Sequence, residues 1–301
     1  MHPIEVHRPL NSMFPEIVRA MRPHQWLKNI LVALPAIAAH DYTLQTTITL
    51  VMAFAVFSLC ASAVYVINDL VDQANDRGHP RKKHRPFAAG TLTPAFGICL
   101  AAGFFLISLA GSLALPTSFF ITLILYSSLS LGYTFYLKRF LMIDVVVLAC
   151  LYGFRVIAGA GATGVVLSEW LIVFCVFFFL SLALVKRAAE LKASLLDSRS
   201  TLPGRGYRSE DFYTVQALAG AAGFVSILVL GLYLKSETVK ELYSHPNLLW
   251  GVGVILIFWI GRTILLAGRG EMHDDPVNYA VTDRVSVISI ILAGIIILFS
   301  T

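Results

Sequence analysis

Long apolar runs recur along almost the whole chain and restrict the folds that it can adopt. A helix needs about 20 predominantly apolar residues to cross the hydrocarbon core of a bilayer. Only 14% of the 301 residues are charged, whereas a soluble domain has roughly a quarter. We therefore predict an all-α membrane protein, a single domain over residues 1–301, and exclude a soluble enzyme, a disulfide scaffold and a disordered tail. The bundle of about nine predicted transmembrane helices comprises Pro23–Ile37, Thr46–Ile67, Pro94–Leu113, Thr117–Tyr136, Leu141–Ala162, Leu167–Leu184, Tyr213–Leu234, Leu248–Leu266 and Val285–Ser300.

The lysines and arginines lie almost entirely on one side of this nine-span topology. Of the 23 basic residues, only Lys235 and Lys240 fall on the opposite side, and Arg155 falls within a span. Basic residues concentrate in cytoplasmic loops. We therefore expect a multi-pass protein of the cell (inner) membrane, with a short cytoplasmic segment at residues 1–22 and the C-terminus outside.

Acidic residues gather on the same predicted cytoplasmic side, close to the ends of the spans. Carboxylates contribute little to membrane topology, so their position needs another cause. A polar site at the cytoplasmic membrane surface would supply that cause. The acidic residues in question are Asp69, Asp72, Asp76, Asp144, Glu190, Asp197, Asp274, Asp275 and Asp283.

Three of these carboxylates follow the second predicted span at regular spacing. If the helix continues past the membrane face, Asp69, Asp72 and Asp76 lie on one stripe. Asn68 precedes Asp72 by one helical turn. Like charges at this spacing repel each other, so the arrangement is costly without a counter-cation. Mg²⁺ prefers oxygen ligands and binds through one or two carboxylates plus substrate phosphates. We therefore predict a site for Mg²⁺ and a diphosphate, in which the three aspartates are catalytic and Asn68 is a further metal ligand that also contacts the substrate.

Basic residues follow the carboxylates directly. Arginine forks match phosphate oxygens in pairs, and lysine adds a point charge. The alternative is a solvated helix end followed by a loop that only sets the topology. We expect four of these residues to bind phosphate groups of the substrates, namely Arg77, Lys82, Lys83 and Arg85.

The motif from Asn68 to Asp76 resembles the Asn-Asp-x-x-Asp-x-x-x-Asp motif of the UbiA superfamily of intramembrane prenyltransferases. The longer string through His79-Pro80 and Arg85-Pro86 is similar to the branch that contains decaprenyl-phosphate phosphoribosyltransferase. The resemblance covers nearly the whole chain and implies a bundle around a cavity that opens to the cytoplasmic face and laterally to lipid. Further stretches that resemble this branch are Arg22–Asn29, Tyr133–Lys138, Arg155 with Ala158-Gly159, Lys186–Leu191 and Asp275–Arg284.

One departure from the prenyltransferase pattern concerns the end of the sixth predicted span. Prenyltransferases of this superfamily carry a second aspartate-rich motif there, which serves a second metal. This chain instead has Lys186, Arg187 and Glu190. Bases in place of acids favour direct contacts with phosphate, which a donor with an additional phosphate, such as 5-phosphoribosyl-1-diphosphate, would need. Alternatively, Lys186 and Arg187 only anchor the helix end.

Four more residues are candidates for substrate binding. Lys28 lies early in the first predicted span, where an ionisable side chain is costly. In the family the stretch that contains Tyr133 and Lys138 lines the active site, although an interfacial tyrosine is common for other reasons. Arg155 is a single cation in an apolar run. It either contacts phosphate from the cavity wall or pairs with Asp144 nearby in sequence.

Together with the resemblance, these residues predict a Mg²⁺-dependent glycosyltransferase. It would move a 5-phosphoribosyl group from 5-phosphoribosyl-1-diphosphate to a polyprenyl phosphate of the decaprenyl type, and so supply pentose for cell-envelope glycans. One alternative is a prenyltransferase of the same fold, which predicts a second acidic cluster. Another is a lipid-phosphate transporter, which favours internal repeats and helices broken at the bilayer midplane. The expected partners are the two substrates and the lipid bilayer, without nucleic acid.

Overall fold

The computed structural model describes residues 10–78, 81–197, 200–202, 204–272 and 275–301. The regular secondary structure in these parts is helical, apart from one isolated bridge between Thr201 and Arg208. The α-helices are α1 (Leu10–Met21), α2 (Leu34–Ala38), α3 (Leu44–Val71), α4 (Gln73–Arg77), α5 (Pro94–Ser112), α6 (Thr117–Phe135), α7 (Ile143–Thr163), α8 (Glu169–Leu196), α9 (Phe212–Tyr233), α10 (Glu237–Leu242), α11 (Trp250–Arg269), α12 (Pro276–Thr282) and α13 (Arg284–Ser300). Short 3₁₀ helices lie at Pro23–Ala33, Lys82–His84, Leu137–Arg139, Ser209–Asp211 and Pro246–Leu249.

Seven helical segments of the described chain are long and apolar enough to cross a membrane. They are α3, α5, α6, α7, α8, Ser209–Tyr233 and Pro246–Arg269. The pair α12 and α13, bent by 83°, adds an eighth if it forms one span. The prediction of an all-α membrane bundle is confirmed, but the count of nine is not. Its first member, Pro23–Ile37, is a 3₁₀ helix followed by the short α2 instead of one long helix.

The 3₁₀ helix Pro23–Ala33 packs along α3 and forms two side-chain hydrogen bonds with it. Trp26 and Asn29 are three positions apart and lie on one edge, because a 3₁₀ helix has three residues per turn. Trp26 Nε1 donates to Ser62 Oγ at 2.9 Å, and Asn29 Nδ2 donates to Ser58 Oγ at 3.0 Å. Three residues of 3₁₀ helix rise about 6 Å, which matches the rise of about 6 Å over the four α-helical residues from Ser58 to Ser62, whereas three residues of α-helix rise only about 4.5 Å. The 3₁₀ rise therefore lets both donors reach α3.

The helix α7 contacts α3, α6, α8 and the 3₁₀ helix Pro23–Ala33. Gly159 allows the closest of these approaches, because a Cβ atom at this position would lie 1.9 Å from the carbonyl oxygen of Val32. Gly161 lies against the start of α6, where Ser118 Oγ donates to its carbonyl oxygen at 2.7 Å. Small residues let membrane helices approach closely. Gly159 thereby lets the N-terminal 3₁₀ helix, and the charged residues that it carries, pack directly against α7.

Candidate active site

The carboxylate motif lies where α3 ends. The helix ends at Val71, Asp72 caps it, and the short α4 begins at Gln73. The backbone N–H of Asp72 still donates to the carbonyl oxygen of Asn68, and that of Asp76 to Asp72, both at 2.9 Å. The four-residue hydrogen-bond spacing therefore continues through the motif, although one uninterrupted helix does not. Asn68 itself is half-buried beside the aspartates.

Two buried aspartates of this motif pair with two arginines from other segments, and one of these arginines contacts both aspartates. Asp69 is 2% exposed; it contacts Arg22 and lies 3.1 Å from Arg85. Arg85 also lies 2.6 Å from Asp76. Arg22 connects α1 to the 3₁₀ helix in a left-handed conformation, with φ 53° and ψ 59°. Residues other than glycine seldom adopt this conformation, and it recurs at functional sites. The four side chains form a charge-balanced group.

The third aspartate, Asp72, is the most open of the three. Its side chain is 25% exposed and pairs with Lys138 at 2.6 Å. Lys138 lies in the 3₁₀ turn after α6, so a different part of the chain supplies the cation. We call Asp69, Asp72 and Asp76, together with Arg22, Arg85 and Lys138, the carboxylate cluster.

A cavity of about 440 Å³ lies beside the carboxylate cluster. Arg22, Asp69 and Arg85 line it, together with residues at the end of α1 and the start of the 3₁₀ helix. Pockets for small molecules have volumes of about 300–1,000 Å³. The cavity is therefore large enough for a small charged ligand in contact with the buried aspartate and both arginines.

The donor atoms of the carboxylate cluster fit a magnesium ion. Asp69 Oδ2 is buried and has no hydrogen-bond partner within the described parts of the chain, whereas buried polar atoms are normally paired. Carboxylate oxygens are the ligands that Mg²⁺ prefers. Among the described residues, no three acidic, histidine or cysteine side chains are grouped as a metal site; each of the three aspartates is paired with a basic side chain. Metal binding would therefore exchange these cations for Mg²⁺ at the same oxygens.

The basic loop after the motif lies at the surface. Arg77 is exposed and donates from Nε to the carbonyl oxygen of Ala88 at 3.4 Å. Lys82 and Lys83 are exposed in the 3₁₀ turn that follows. Lys82 interacts electrostatically with Glu190, so this loop faces the C-terminal end of α8. The structure thus brings the predicted phosphate-binding loop and the end of the sixth predicted span to the same side of the bundle.

A second charged group connects the two ends of the chain. The Asp275 side chain is 8% exposed and accepts hydrogen bonds from Lys28 Nζ at 2.9 Å and from Lys186 Nζ at 3.0 Å. Tyr152 donates its hydroxyl to the other carboxylate oxygen at 3.1 Å. Burial alone would raise the pKa of Asp275, but the ammonium groups of Lys28 and Lys186 hold that pKa well below its ordinary value. The carboxylate stays charged and holds both lysines.

Arg187 and Glu190 belong to a third charged group, which is more enclosed. Arg187 is fully buried, lies 2.6 Å from Asp144 and contacts Glu190. Arg205, from the loop before α9, lies 3.5 Å from Asp144 and 3.7 Å from Glu190. Two acids and two bases balance each other here. The burial of Arg187 argues against its predicted contact with phosphate and favours the alternative in which it anchors the end of α8.

Arg205 is a residue that sequence reasoning missed. It donates from a terminal nitrogen to the hydroxyl of Tyr133 at 2.7 Å. Burial alone would lower the pKa of Arg205, but Glu190 and Tyr133 raise it above its ordinary value. Gly206 lets this loop pack closely against the backbone of Arg139, because a Cβ atom at Gly206 would lie 2.8 Å from the carbonyl oxygen of Arg139. No motif marks Arg205, and only the folded loop reveals its position.

Arg155 lies inside the bundle, away from Asp144. Its Nε donates to Asn29 Oδ1 at 2.9 Å, and a terminal nitrogen donates to the Tyr126 hydroxyl at 3.2 Å. Its guanidinium also lies 5.1 Å from the centre of the Tyr126 ring. The alternative in which Arg155 pairs with Asp144 is wrong, because Asp144 pairs with Arg187 instead. Arg155 is 3% exposed, and its contacts connect α7 to α6 and to the 3₁₀ helix.

Arg22 and Asp275 are further site residues that we did not select from the sequence. Both lie within stretches that resemble the phosphoribosyltransferase branch, and that resemblance was the available signal. Their contacts join residues that are 47 and 247 positions apart, Arg22 with Asp69 and Lys28 with Asp275. Spacing along the chain gives no indication of such pairs. Asp283 accepts from the backbone N–H of Ser286 and caps α13.

Fold and site together define an integral membrane protein with a charged site at one end of a helical bundle. The model of the UbiA prenyltransferase family matches residues 29–193, which is more than half of the chain. The chain belongs to this family, a family of membrane-embedded transferases.

Relatives with similar sequences carry different descriptions. The chain is 35% identical over 272 residues to protein y4nM of Sinorhizobium fredii, covering 88% of this chain and 52% of that protein, so it spans about half of its length. It is 34% identical to nodulation protein NoeC of Azorhizobium caulinodans, covering 90% and 89% of the two chains. It is 37% identical over 192 residues to decaprenyl-phosphate phosphoribosyltransferase of Mycobacterium tuberculosis, covering 62% and 63%. The last of these similarities supports the predicted resemblance to the phosphoribosyltransferase branch.

A solved structure has the same fold. A UbiA homolog from Archaeoglobus fulgidus bound to GPP and Mg²⁺ superposes with a TM-score of 0.70, covering 95% of this chain and 98% of that chain at 14% identity. At this identity the likeness establishes the helical fold alone.

Proposed function

We propose that the protein transfers a 5-phosphoribosyl group from 5-phosphoribosyl-1-diphosphate to a polyprenyl phosphate of the decaprenyl type, and releases diphosphate. The observation that carries this proposal is the charge at the end of α8. There Lys186, next to the buried Arg187, stands where the prenyltransferase pattern has a second acidic motif. The similarity to decaprenyl-phosphate phosphoribosyltransferase, at 37% identity, supports the same donor and acceptor.

In this reaction the bond between C1 of the ribose and the diphosphate oxygen breaks, and the electron pair leaves with the diphosphate. An oxygen of the acceptor phosphate forms the new bond to C1. The acceptor phosphate is already ionised near neutral pH, so no strong general base is needed. Attack opposite the leaving group inverts the configuration at C1. The protein therefore has to orient two anions and neutralise the charge that develops on the leaving group.

The carboxylate cluster supplies the end of the site that receives the diphosphate. Asn68 and the three aspartates would hold Mg²⁺. The buried Oδ2 of Asp69, which has no hydrogen-bond partner in the described parts of the chain, is available as a ligand. When bound, the metal would neutralise negative charge on the departing diphosphate. Arg22 and Arg85 line the adjacent cavity and would contact the diphosphate oxygens directly. Lys138, released from Asp72, would orient a phosphate of the second substrate.

The remaining basic residues extend this site toward the surface. Arg77, Lys82 and Lys83 lie on the exposed loop that faces α8 and would attract anionic substrates. Tyr133 would hold Arg205 in place through its hydroxyl. A water-soluble donor enters from the side on which nearly all basic residues lie, so we place this side in the cytoplasm, with residues 1–22, and the protein in the cell membrane. The product would then supply pentose for cell-envelope glycans.

A prenyltransferase that moves an isoprenoid from its diphosphate to an aromatic or other acceptor is the second candidate. Membership of the UbiA prenyltransferase family favours it directly. Against it stands the stretch Lys186–Leu191 of α8, where Glu190 is the one acid and contacts Arg187. A lipid-phosphate transporter receives less support, because the break after α3 lies at the helix end, among charged residues, and not between two apolar half-helices.

The experiment that separates the two transferases follows a label into the lipid product. Purified protein in detergent with Mg²⁺ is given a polyprenyl phosphate and donor labelled with ³²P on the ribose 5-phosphate, and the organic phase is counted. A parallel reaction contains a labelled isoprenoid diphosphate and an aromatic acceptor. We expect label in the organic phase in the first reaction alone, and we expect EDTA to abolish this transfer. Transfer only in the second reaction would overturn the proposal in favour of prenyl transfer.

A further inference from the structure

We propose that Lys28, Lys186 and Asp275 form a second anion subsite, which binds the 5-phosphate at the far end of the donor, with Asp275 as the residue that positions the two lysines. This inference rests on the proposed function and assigns one phosphate of the donor to particular cations. We call these three residues the lysine pair and its carboxylate.

The charge of this group points to an anionic ligand. Both ammonium nitrogens lie within 3.0 Å of the same oxygen, Asp275 Oδ2. Two lysines and one aspartate leave one positive charge without a counter-charge in the group. The side chains of Lys28 and Asp275 are each 8% exposed, and buried charge is costly unless it is paired. The Lys186 side chain is 30% exposed, so an anion can reach the group from that side.

The group also lies at a fixed distance from the carboxylate cluster. Arg22, which contacts Asp69, immediately precedes the 3₁₀ helix Pro23–Ala33, and Lys28 lies six positions later within that helix. At a rise of about 2.0 Å per residue, they are separated by about 12 Å along its axis. Trp26 and Asn29 bind this stretch to α3. A donor with a diphosphate at one end and a phosphate at the other has a matching distribution of charge.

Asp275 holds the lysines where neither would stay alone. Lysine is a point charge on a flexible stem, and two ammonium groups this close repel each other. Asp275 is itself fixed, because it caps α12 by accepting from the backbone N–H of Val277 at 3.1 Å and also accepts from Tyr152. A phosphate that replaced part of this contact would meet donors that are already oriented. A phosphate monoester carries nearly two negative charges near neutral pH.

The test measures two probes that each represent one end of the donor. Ribose 5-phosphate carries the 5-phosphate alone, and inorganic diphosphate with Mg²⁺ represents the other end. Equilibrium binding of each probe is measured by calorimetry on purified protein in detergent. We expect Lys186→Ala to weaken binding of ribose 5-phosphate by about 10- to 100-fold, the effect of one lost hydrogen bond between charged groups. Binding of diphosphate should change less than about twofold, because the carboxylate cluster is intact.

The matched control is Lys192→Ala, on the same helix. Lys192 is half-buried and lies 5.5 Å from the centre of the Phe212 ring, outside the proposed subsite. It should leave both probes unaffected. Lys28→Ala should repeat the result of Lys186→Ala through the other lysine, so the test does not depend on one variant folding.

Asp275→Asn tests positioning separately from binding. It should weaken binding of ribose 5-phosphate several-fold in the native background and have almost no effect when Lys28→Ala and Lys186→Ala are both present, because the residue acts through those two lysines. The inference is overturned if the lysine variants leave binding of ribose 5-phosphate unchanged, or weaken both probes equally. Transfer of the ribose label by the native protein tests the proposed function independently. If the native protein transfers the label but Lys186→Ala binds ribose 5-phosphate normally, the subsite is excluded and the proposed function stands.

Discussion

The C-terminal ends of α3 and α8 carry opposite charges and are neutralised in opposite ways. At the end of α3 the helix supplies aspartates, and other segments supply the cations, as Lys138 does for Asp72. At the end of α8 the helix supplies Lys186 and Arg187, and other segments supply the acids Asp275 and Asp144. At each end the charges of the helix are paired with opposite charges from other segments, and at the end of α8 the lysine pair and its carboxylate keep one excess positive charge.

This difference indicates what each end can bind. Removing a basic partner from an aspartate leaves oxygen atoms that suit a metal ion, whereas removing an acidic partner from a lysine leaves donors that suit a phosphate. Under the proposed function, the end of α3 would therefore be the metal-binding end, and the end of α8 would bind anions directly. The following changes test that contrast, from the largest expected effect to the smallest.

Asp72→Asn should reduce turnover by at least about 10³-fold, because loss of a metal-binding charge removes several kcal/mol of transition-state stabilisation. The measurement is kcat in the labelled-transfer assay at saturating Mg²⁺. The protein should remain folded, since the Asp72 side chain is 25% exposed. Asp41→Asn, in the loop before α3, is the matched control and should keep full activity. Full activity in Asp72→Asn would remove the metal from this end.

Arg187→Met should destabilise the protein by about 3–5 kcal/mol, because it leaves Asp144 without its closest cation in a buried place. Thermal unfolding in detergent measures the effect. Lys186→Met, one position earlier, should unfold close to the native temperature, because its side chain is partly exposed. If Arg187→Met is as stable as the native protein and loses donor binding instead, Arg187 is a phosphate ligand and our interpretation of α8 is wrong.

Gly159→Ala should disturb both ends at once, because the 3₁₀ helix that it displaces carries both Arg22 and Lys28. The new methyl group would overlap the carbonyl oxygen of Val32, and overpacking of this kind costs about 1–3 kcal/mol. We expect a lower unfolding temperature and weaker binding of both ribose 5-phosphate and diphosphate. Weakening of one probe alone would show that the two ends are not joined through this segment.

Lys240→Ala should have no measurable effect on turnover or unfolding. Lys240 pairs with Glu237 at 2.7 Å on α10, and both side chains are largely exposed, where ion pairs contribute little. This lysine lies on the side opposite to the charged helix ends in the predicted topology. A loss of donor binding in this variant would contradict our assignment of the binding side.

The sequence predicts the helices and the acidic motif better than the contacts of that motif. Apolar runs near 20 residues identify α3 and α5–α8, and spacing identifies Asp69, Asp72 and Asp76. The partners of these residues come from distant segments, and a lysine gives no local sign that it will share an aspartate 247 positions away. The first predicted span fails for a related reason. Its apolar content suggests a long α-helix, whereas the structure has a 3₁₀ helix whose rise lets Trp26 and Asn29 both reach serines of α3.

The most direct test of the contrast between the two helix ends locates the metal. Mn²⁺ in place of Mg²⁺ is titrated into purified protein in detergent with saturating 5-phosphoribosyl-1-diphosphate, and bound Mn²⁺ is measured by electron paramagnetic resonance. We expect Asp72→Asn to lose the protein-bound Mn²⁺ signal, and Glu190→Gln, which changes the one acid in the corresponding position of α8, to keep it. Equal loss in both variants would place metal at both ends and contradict the account.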